Sequence, residues 1–165
     1  MIDLMSERLR LHLLTAEEGR RVVDAAPAAH DLWAPDFPMQ DDRDGVGGFL
    51  KAVDAGIDPG PFGCYRIDAQ NDGAAIGTIG FFGPPDEDGQ VMFGYGLVPG
   101  ARNVGYATEA VARLVEFCRD HEDVSVMVAD TLKDNVPSQR VLDKAGFVFT
   151  REDDELFYYR LEVAS

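Results

Sequence analysis

The sequence is short of cations. Fifteen Lys and Arg stand against 30 Asp and Glu among 165 residues, a formal charge of −15. So acidic a balance opposes sequence-independent binding to nucleic acid or to an anionic membrane, because both rely on meeting phosphate with positive charge. It favours a cationic partner instead. Cysteine is scarce too: Cys64 and Cys118 are the only two, and they form no CxxC motif. With three histidines and no Cys/His cluster, neither a disulfide framework nor a zinc site is indicated, and both cysteines are expected as small buried hydrophobes. No apolar run approaches the ~20 residues of a membrane span. The opening Met1-Ile2-Asp3-Leu4-Met5-Ser6-Glu7-Arg8 has the wrong charge order for a secretory leader, so a cytoplasmic location is expected. Two nucleotide motifs are missing as well: there is no GxxxxGK(S/T), and Gly94-Tyr95-Gly96-Leu97-Val98-Pro99 lacks the third glycine of GxGxxG. Neither ATP nor NAD is favoured.

What is present is an ordinary globular balance, 45% apolar and 27% charged, without repeats or low-complexity tracts. One domain over residues 1–165 is expected, long enough to bury roughly two-thirds of its unfolded surface. Arg8-Leu9-Arg10-Leu11-His12-Leu13 alternates like a half-buried strand, and Thr15-Ala16-Glu17-Glu18 supplies a capping box for a helix running to about Ala26. A second helix is predicted over about Asp44 to Ala55. Cys64 to Ala69, Ala75 to Phe82 and Gln90 to Val98 read as an antiparallel meander. From Ala107 the period changes: Ala107, Ala110, Val111, Leu114, Val115 and Cys118 share one helical face. Val124, Val126 and Val128 mark a strand, Asn135 caps a helix with Pro137 in its first turn, and Phe147 to Thr150 and Leu156 to Leu161 close the sheet. This order predicts a mixed α/β layer and not a doubly wound parallel sheet. Acids gather at Asp36 to Asp44, Asp86-Glu87-Asp88 and Glu152 to Glu155, either as solvated surface or to steer a cationic substrate.

The sharpest local signal lies between a strand and the amphipathic helix, in Val98-Pro99-Gly100-Ala101-Arg102-Asn103-Val104-Gly105-Tyr106-Ala107-Thr108-Glu109-Ala110. Small residues let backbone N–H groups approach a phosphate, the helix start adds unpaired donors, and Arg102 can add charge. An ordinary strand-to-helix turn with a glycine is the competing reading.

Arg102-Asn103-Val104-Gly105-Tyr106-Ala107 resembles the (Q/R)xxGx(G/A) pyrophosphate loop of the GNAT superfamily of N-acetyltransferases. Asn135-Val136-Pro137-Ser138-Gln139-Arg140-Val141-Leu142-Asp143-Lys144-Ala145-Gly146-Phe147 is similar to the NxxSxxVLxKxGF segment of the same superfamily, especially its ribosomal-protein alanine acetyltransferase branch. Ser6-Glu7-Arg8-Leu9-Arg10-Leu11 is similar to that branch's opening strand. The resemblance implies a mixed, mainly antiparallel sheet with helices on both faces and a central strand pair that begins side by side and splays apart. Acetyl-CoA is the implied cofactor: its pantetheine arm pairs with backbone near Leu97 and Val98, and its pyrophosphate lies on the loop formed by Arg102, Asn103, Val104, Gly105, Tyr106, Ala107 and Thr108. Asn135 and Ser138 would face the thioester, although either reads also as a plain helix cap.

The implied reaction is direct attack of a neutral amine on the thioester, with no covalent enzyme intermediate. Two departures weaken the catalytic assignment. The tyrosine the family often places seven residues after Asn135 is here Leu142, and the glutamate of the branch's EIGYxL strand is here Met92. Ser138 is the first catalytic candidate, as a hydroxyl beside the leaving thiolate, followed by Asn135. Asp130 and His30 are the first bases to try. Near pH 7 an α-amine of pKa ~8 is neutral about a tenth of the time, and a lysine of pKa ~10.4 under about a thousandth. A weakly basic amine therefore needs less help. Trp33, Phe37 and Tyr95 are candidates for binding the acceptor, as are Phe157 and Tyr159 on the last two strands, and a homodimer is compatible with the sequence. A non-catalytic acyl-CoA-binding module, acetylation of a toxic amine for self-resistance, and a purely structural domain stand as alternatives.

Overall fold

A computed structural model describes residues 3–164, leaving Met1, Ile2 and Ser165 outside, so the first two residues of the stretch read for a leader are not part of it. Eight strands form one sheet in the order β1-β2-β3-β4-β5-β6-β8-β7. These are β1 (Asp3–Met5), β2 (Leu9–Leu13), β3 (Cys64–Ala69), β4 (Ala75–Phe81), β5 (Gln90–Leu97), β6 (Val126–Leu132), β7 (Val148–Glu152) and β8 (Leu156–Glu162). The helices are α1 (Ala16–Asp24), α2 (Gln40–Asp54), α3 (Tyr106–Asp120) and α4 (Val136–Lys144). Every neighbouring pair is antiparallel except β5 and β6, which run parallel. The sheet is thus mixed and mainly antiparallel, with helices on both faces, as the resemblance implied.

The local chemistry explains most boundaries. Thr15 caps α1: its hydroxyl accepts from the Glu18 N–H, and the Glu18 carboxylate accepts from the Thr15 N–H. The apolar face read for α3 is the buried one, with Ala110, Val111, Leu114, Val115 and Cys118 packed into the core. That core is filled between sheet and helices by Tyr65, Ile67, Ile79, Phe93, Leu114, Met127 and Leu142, each worth about 1.5–3 kcal/mol on burial.

Strand β6 starts at Val126, two residues after the predicted Val124, and β7 runs on to Glu152; two further differences have a clear cause. The three-residue β1 pairs with β2 ahead of the predicted first strand, on a stretch too short to show alternation. Helix α2 begins at Gln40, four residues before the predicted start, because its cap comes from inside the helix. Met39 has no capping oxygen; the carboxylate of Asp42, at the third helical position, turns back to accept the Met39 N–H at 2.9 Å.

The parallel pair sets up everything that follows. Strands β5 and β6 pair only through Gln90↔Val126, Val91↔Met127 and Met92↔Val128. Beyond Met92 they part, and a gap opens in the middle of the sheet.

Candidate active site

The phosphate-type loop is built as the sequence suggested, with a brace the sequence did not show. Asn103 and Gly105 both take positive φ, 68° and 88°, which turns the chain sharply into α3. No side chain among the described residues caps α3, so the first-turn N–H groups of Tyr106, Ala107 and Thr108 have no partner within the helix. Arg8 locks the loop from the other end of the chain. Its Nη1 donates to the Val104 carbonyl at 2.9 Å, its Nε to Glu109 Oε1 at 2.7 Å, and its guanidinium lies over the Tyr106 ring at 4.6 Å. Burial alone would raise the Glu109 carboxyl, but hydrogen bonds from Ser6 and Arg8 outweigh it and hold the pKa below the usual range. Arg102 behaves differently from expectation. It folds back to donate to the Leu97 carbonyl at 3.0 Å, and its Nη2 contacts the Met39 sulfur at 3.7 Å.

The β5 edge facing the gap is partly free. The Met92 carbonyl and Val98 N–H bond to the β4 side, at 2.9 Å and 2.8 Å. By strand alternation the N–H and C=O of Tyr95 and the N–H of Leu97 point the other way, toward the space β6 has left. Of the two residues expected to pair with a pantetheine arm, Leu97 keeps a free N–H, while the Val98 N–H is already engaged.

A cavity of about 460 Å³ occupies the gap. It joins the first turn of α2 to the far ends of β4, β5 and β6 and the start of α4. On the α4 side the Tyr95 hydroxyl meets Ser138 Oγ at 2.8 Å, and the Ser138 N–H donates to Asn135 Oδ1 at 3.2 Å. Asn135 is therefore a helix cap and a wall of the cavity at once. Burial raises the Tyr95 phenol, against an opposing hydrogen bond with Ser138, so Tyr95 stays protonated and able to donate. On the α2 side stand Asp41, Asp42 and Asp44, with Asp130 across from them on β6. Among the described residues lining the cavity there is no lysine or arginine.

The sequence-picked residues divide. Tyr95, Asp130, Asn135 and Ser138 come together in this cavity. Trp33 and Phe37 do not line it; they pack edge to face at 5.4 Å, Phe37 within the core. His30 is 77% exposed beside Asp31, also outside it. Cys64 does line the cavity, but burial, with the Asp42 charge, pushes its thiol up to about 12, so it remains protonated. The sequence reading passed over Thr78, Gly94, Gly96 and Thr131, and over Asp42 as a site residue separate from its acidic run. A second cavity of similar volume, between Pro84–Gly89 and Ser125, holds none of the motif residues.

Comparison with known proteins agrees with this geometry. The family model described as an acetyltransferase (GNAT) domain matches residues 8–148. An uncharacterized N-acetyltransferase of Bacillus subtilis (strain 168), YjdG, is 35% identical over 80 residues; the match spans about half of either chain, 48% of each. Among solved structures, a GNAT-family acetyltransferase from Bacillus anthracis superposes with a TM-score of 0.69 at 18% identity, covering 98% of this chain and 99% of that one. RimL, a ribosomal alpha-N-protein acetyltransferase solved with coenzyme A, gives 0.70 at 16% identity over 98% of both. Such identities speak for the fold, while the family model covers most of the chain and carries both motifs. The protein is a member of the GNAT acetyltransferase family.

Proposed function

We propose that the protein transfers an acetyl group from acetyl-CoA to a cationic primary amine, either a small amine or a peptide N-terminus. One observation carries this: a single cavity in the split sheet joins the Ser138–Tyr95 hydroxyl pair to an acidic wall of Asp41, Asp42 and Asp44 on α2, with Asp130 across from it on β6. Acetyl-CoA supplies the activated thioester. The open N–H groups at the start of α3 suit its pyrophosphate, and the free edge of β5 at Tyr95 and Leu97 suits its pantetheine amides. Ser138 then stands where its hydroxyl stabilises the departing sulfur, and Tyr95 backs it with a second hydroxyl whose proton is retained at neutral pH. The acidic wall draws in an ammonium group and holds it opposite.

Mixing the protein with acetyl-CoA and a panel of free-N-terminal peptides, polyamines and aminoglycosides, while following thiol release and acceptor mass, tests the proposal. One added acetyl on an acceptor is the expected result, with capture weakening at high salt. Ser138→Ala should lower kcat by about tenfold to a hundredfold with little change in coenzyme A affinity. Tight coenzyme A binding without turnover of any amine would point to an acyl-CoA-binding module, and no binding would end the acetyltransferase reading.

A further inference from the structure

We propose that Asp42 is the proton acceptor for the incoming amine, with Thr78 as its positioning residue. This rests on the acetyltransferase reading above.

The cavity offers two partly or wholly buried carboxyls that form no ion pair among the described residues, Asp42 and Asp130. Asp130 is half-exposed and accepts no hydrogen bond from a described residue. Asp42 is 2% exposed and fixed at both oxygens: Thr78 Oγ1 donates to Oδ1 at 2.6 Å, and the Met39 N–H donates to Oδ2 at 2.9 Å. Thr78 pairs in register with Gly96, so their side-chain positions share the α2 face of the sheet. Gly96 has no side chain, and the space above it is empty to 4 Å. The carboxylate therefore stands over bare strand at the edge of the gap, on the same face of β5 as Met92 and Gly94. No side chain of β5 reaches that face with a base. A carboxylate entering from α2 supplies one.

One polar side chain among the residues lining the cavity is left without a partner. Thr131, on the β6 side, is 4% exposed, and its hydroxyl has no hydrogen-bond partner among the described residues. A buried hydroxyl left unpaired costs roughly 1–3 kcal/mol, and this one belongs to a residue of the cavity lining.

The chemistry balances. The ammonium gives one proton to Asp42, and the freed nitrogen lone pair forms the C–N bond to the thioester carbonyl carbon. The C–S bond breaks with its electron pair on sulfur, and the second nitrogen proton passes to that thiolate, directly or through Ser138 and Tyr95. Asp42 returns its proton to solvent. One proton is released per acetyl transferred.

Burial raises Asp42 above the ordinary carboxylate range; the Thr78 and Met39 hydrogen bonds oppose this, and the Asp41 charge adds to it. The other groups facing it are Asp44 on α2, Cys64 on β3, Tyr95 on β5 and Asp130 on β6, with the Arg102 guanidinium behind Met39. A carboxyl held high must lose its proton before it can accept one. The rate therefore falls as pH drops through that raised value, an acidic limb lying higher than an ordinary aspartate would give.

The test measures kcat/KM across pH for wild type, Asp42→Asn, Thr78→Val and Asp130→Asn, using acetyl-CoA with an alanine-initiated tripeptide amide and with spermidine. Asn at 42 keeps both hydrogen bonds, its oxygen accepting from Met39 and its amide donating to the Thr78 hydroxyl. Asp42→Asn should lower kcat/KM about a hundredfold and erase the acidic limb, leaving coenzyme A affinity unchanged by calorimetry. Thr78→Val removes a bond to the charged form together with the contact that positions it, so the limb should move to higher pH and the plateau rate should fall while coenzyme A affinity is kept; it reads the same group if Asp42→Asn fails to fold. An active wild type whose limb survives Asp42→Asn, or is erased by Asp130→Asn alone, overturns the assignment and leaves the acetyltransferase reading intact. A wild type that turns over neither amine overturns both.

Discussion

Gly96→Leu should abolish turnover of the amine while leaving coenzyme A binding within about threefold. The position has ordinary strand geometry, and a Cβ built on it meets nothing within 4 Å. A leucine there costs little to fold, but its side chain enters the cavity beside Asp42 and Asp44, in the space assigned to the acceptor. Displacing a reactant by about 1 Å is enough for a hundredfold loss, and a leucine displaces it further. The expected readout is a fall in kcat/KM of at least about a hundredfold, with melting temperature and coenzyme A calorimetry close to wild type. Retained activity would move the acceptor to another part of the gap.

The second large effect comes from a glycine nearby on the next strand. Gly77→Ala should destabilise the protein by about 3 kcal/mol, lowering its melting temperature by roughly 6–12 °C. A Cβ at Gly77 would overlap the Gly96 carbonyl oxygen and lie 3.1 Å from the Gly96 carbonyl carbon and from Leu97 Cα. Those atoms are backbone, so they cannot swing away as a side chain would, and β5 can retreat only by straining its ladder with β4. The pairing explains the crowding. Ile67 opposes Gly77 but Asp68 opposes Ala75, so Ile76 is an extra residue in β4, and the glycine follows this bulge. Unchanged stability in thermal or denaturant unfolding would mean the bulge can relax.

These two glycines show where sequence reading succeeds and where it stops. The loop at Gly105 and the cap at Asn135 were legible because their chemistry is local: a turn needing positive φ, and a side chain reaching three residues ahead. The α3 face was legible because periodicity is local as well. Gly96 looked like a failed nucleotide motif, since only its register with Thr78 shows what its bareness does. Asp42 lay hidden in a run of acids, and its importance comes from a hydroxyl 36 residues away. The loop brace was hidden for the same reason, Arg8 meeting Glu109 across 101 residues. Arg102 was read as a cation for the loop's anion; in the folded chain its Nε donates to the Leu97 carbonyl, a contact the loop motif does not announce.

The short seam between β5 and β6 has one more consequence. Three residue pairs join a five-strand half, β1 to β5, to a three-strand half, β6, β8 and β7. A guest lying in the gap acts as a missing rung, hydrogen-bonding one half along its length while touching the other. Occupancy at a hundred times Kd adds about 2.7 kcal/mol to the folded state. Much of that should appear as slower amide exchange at Tyr95 and Leu97, whose inward N–H groups have no strand to pair with, so the donor substrate would act as part of the sheet for as long as it stays bound.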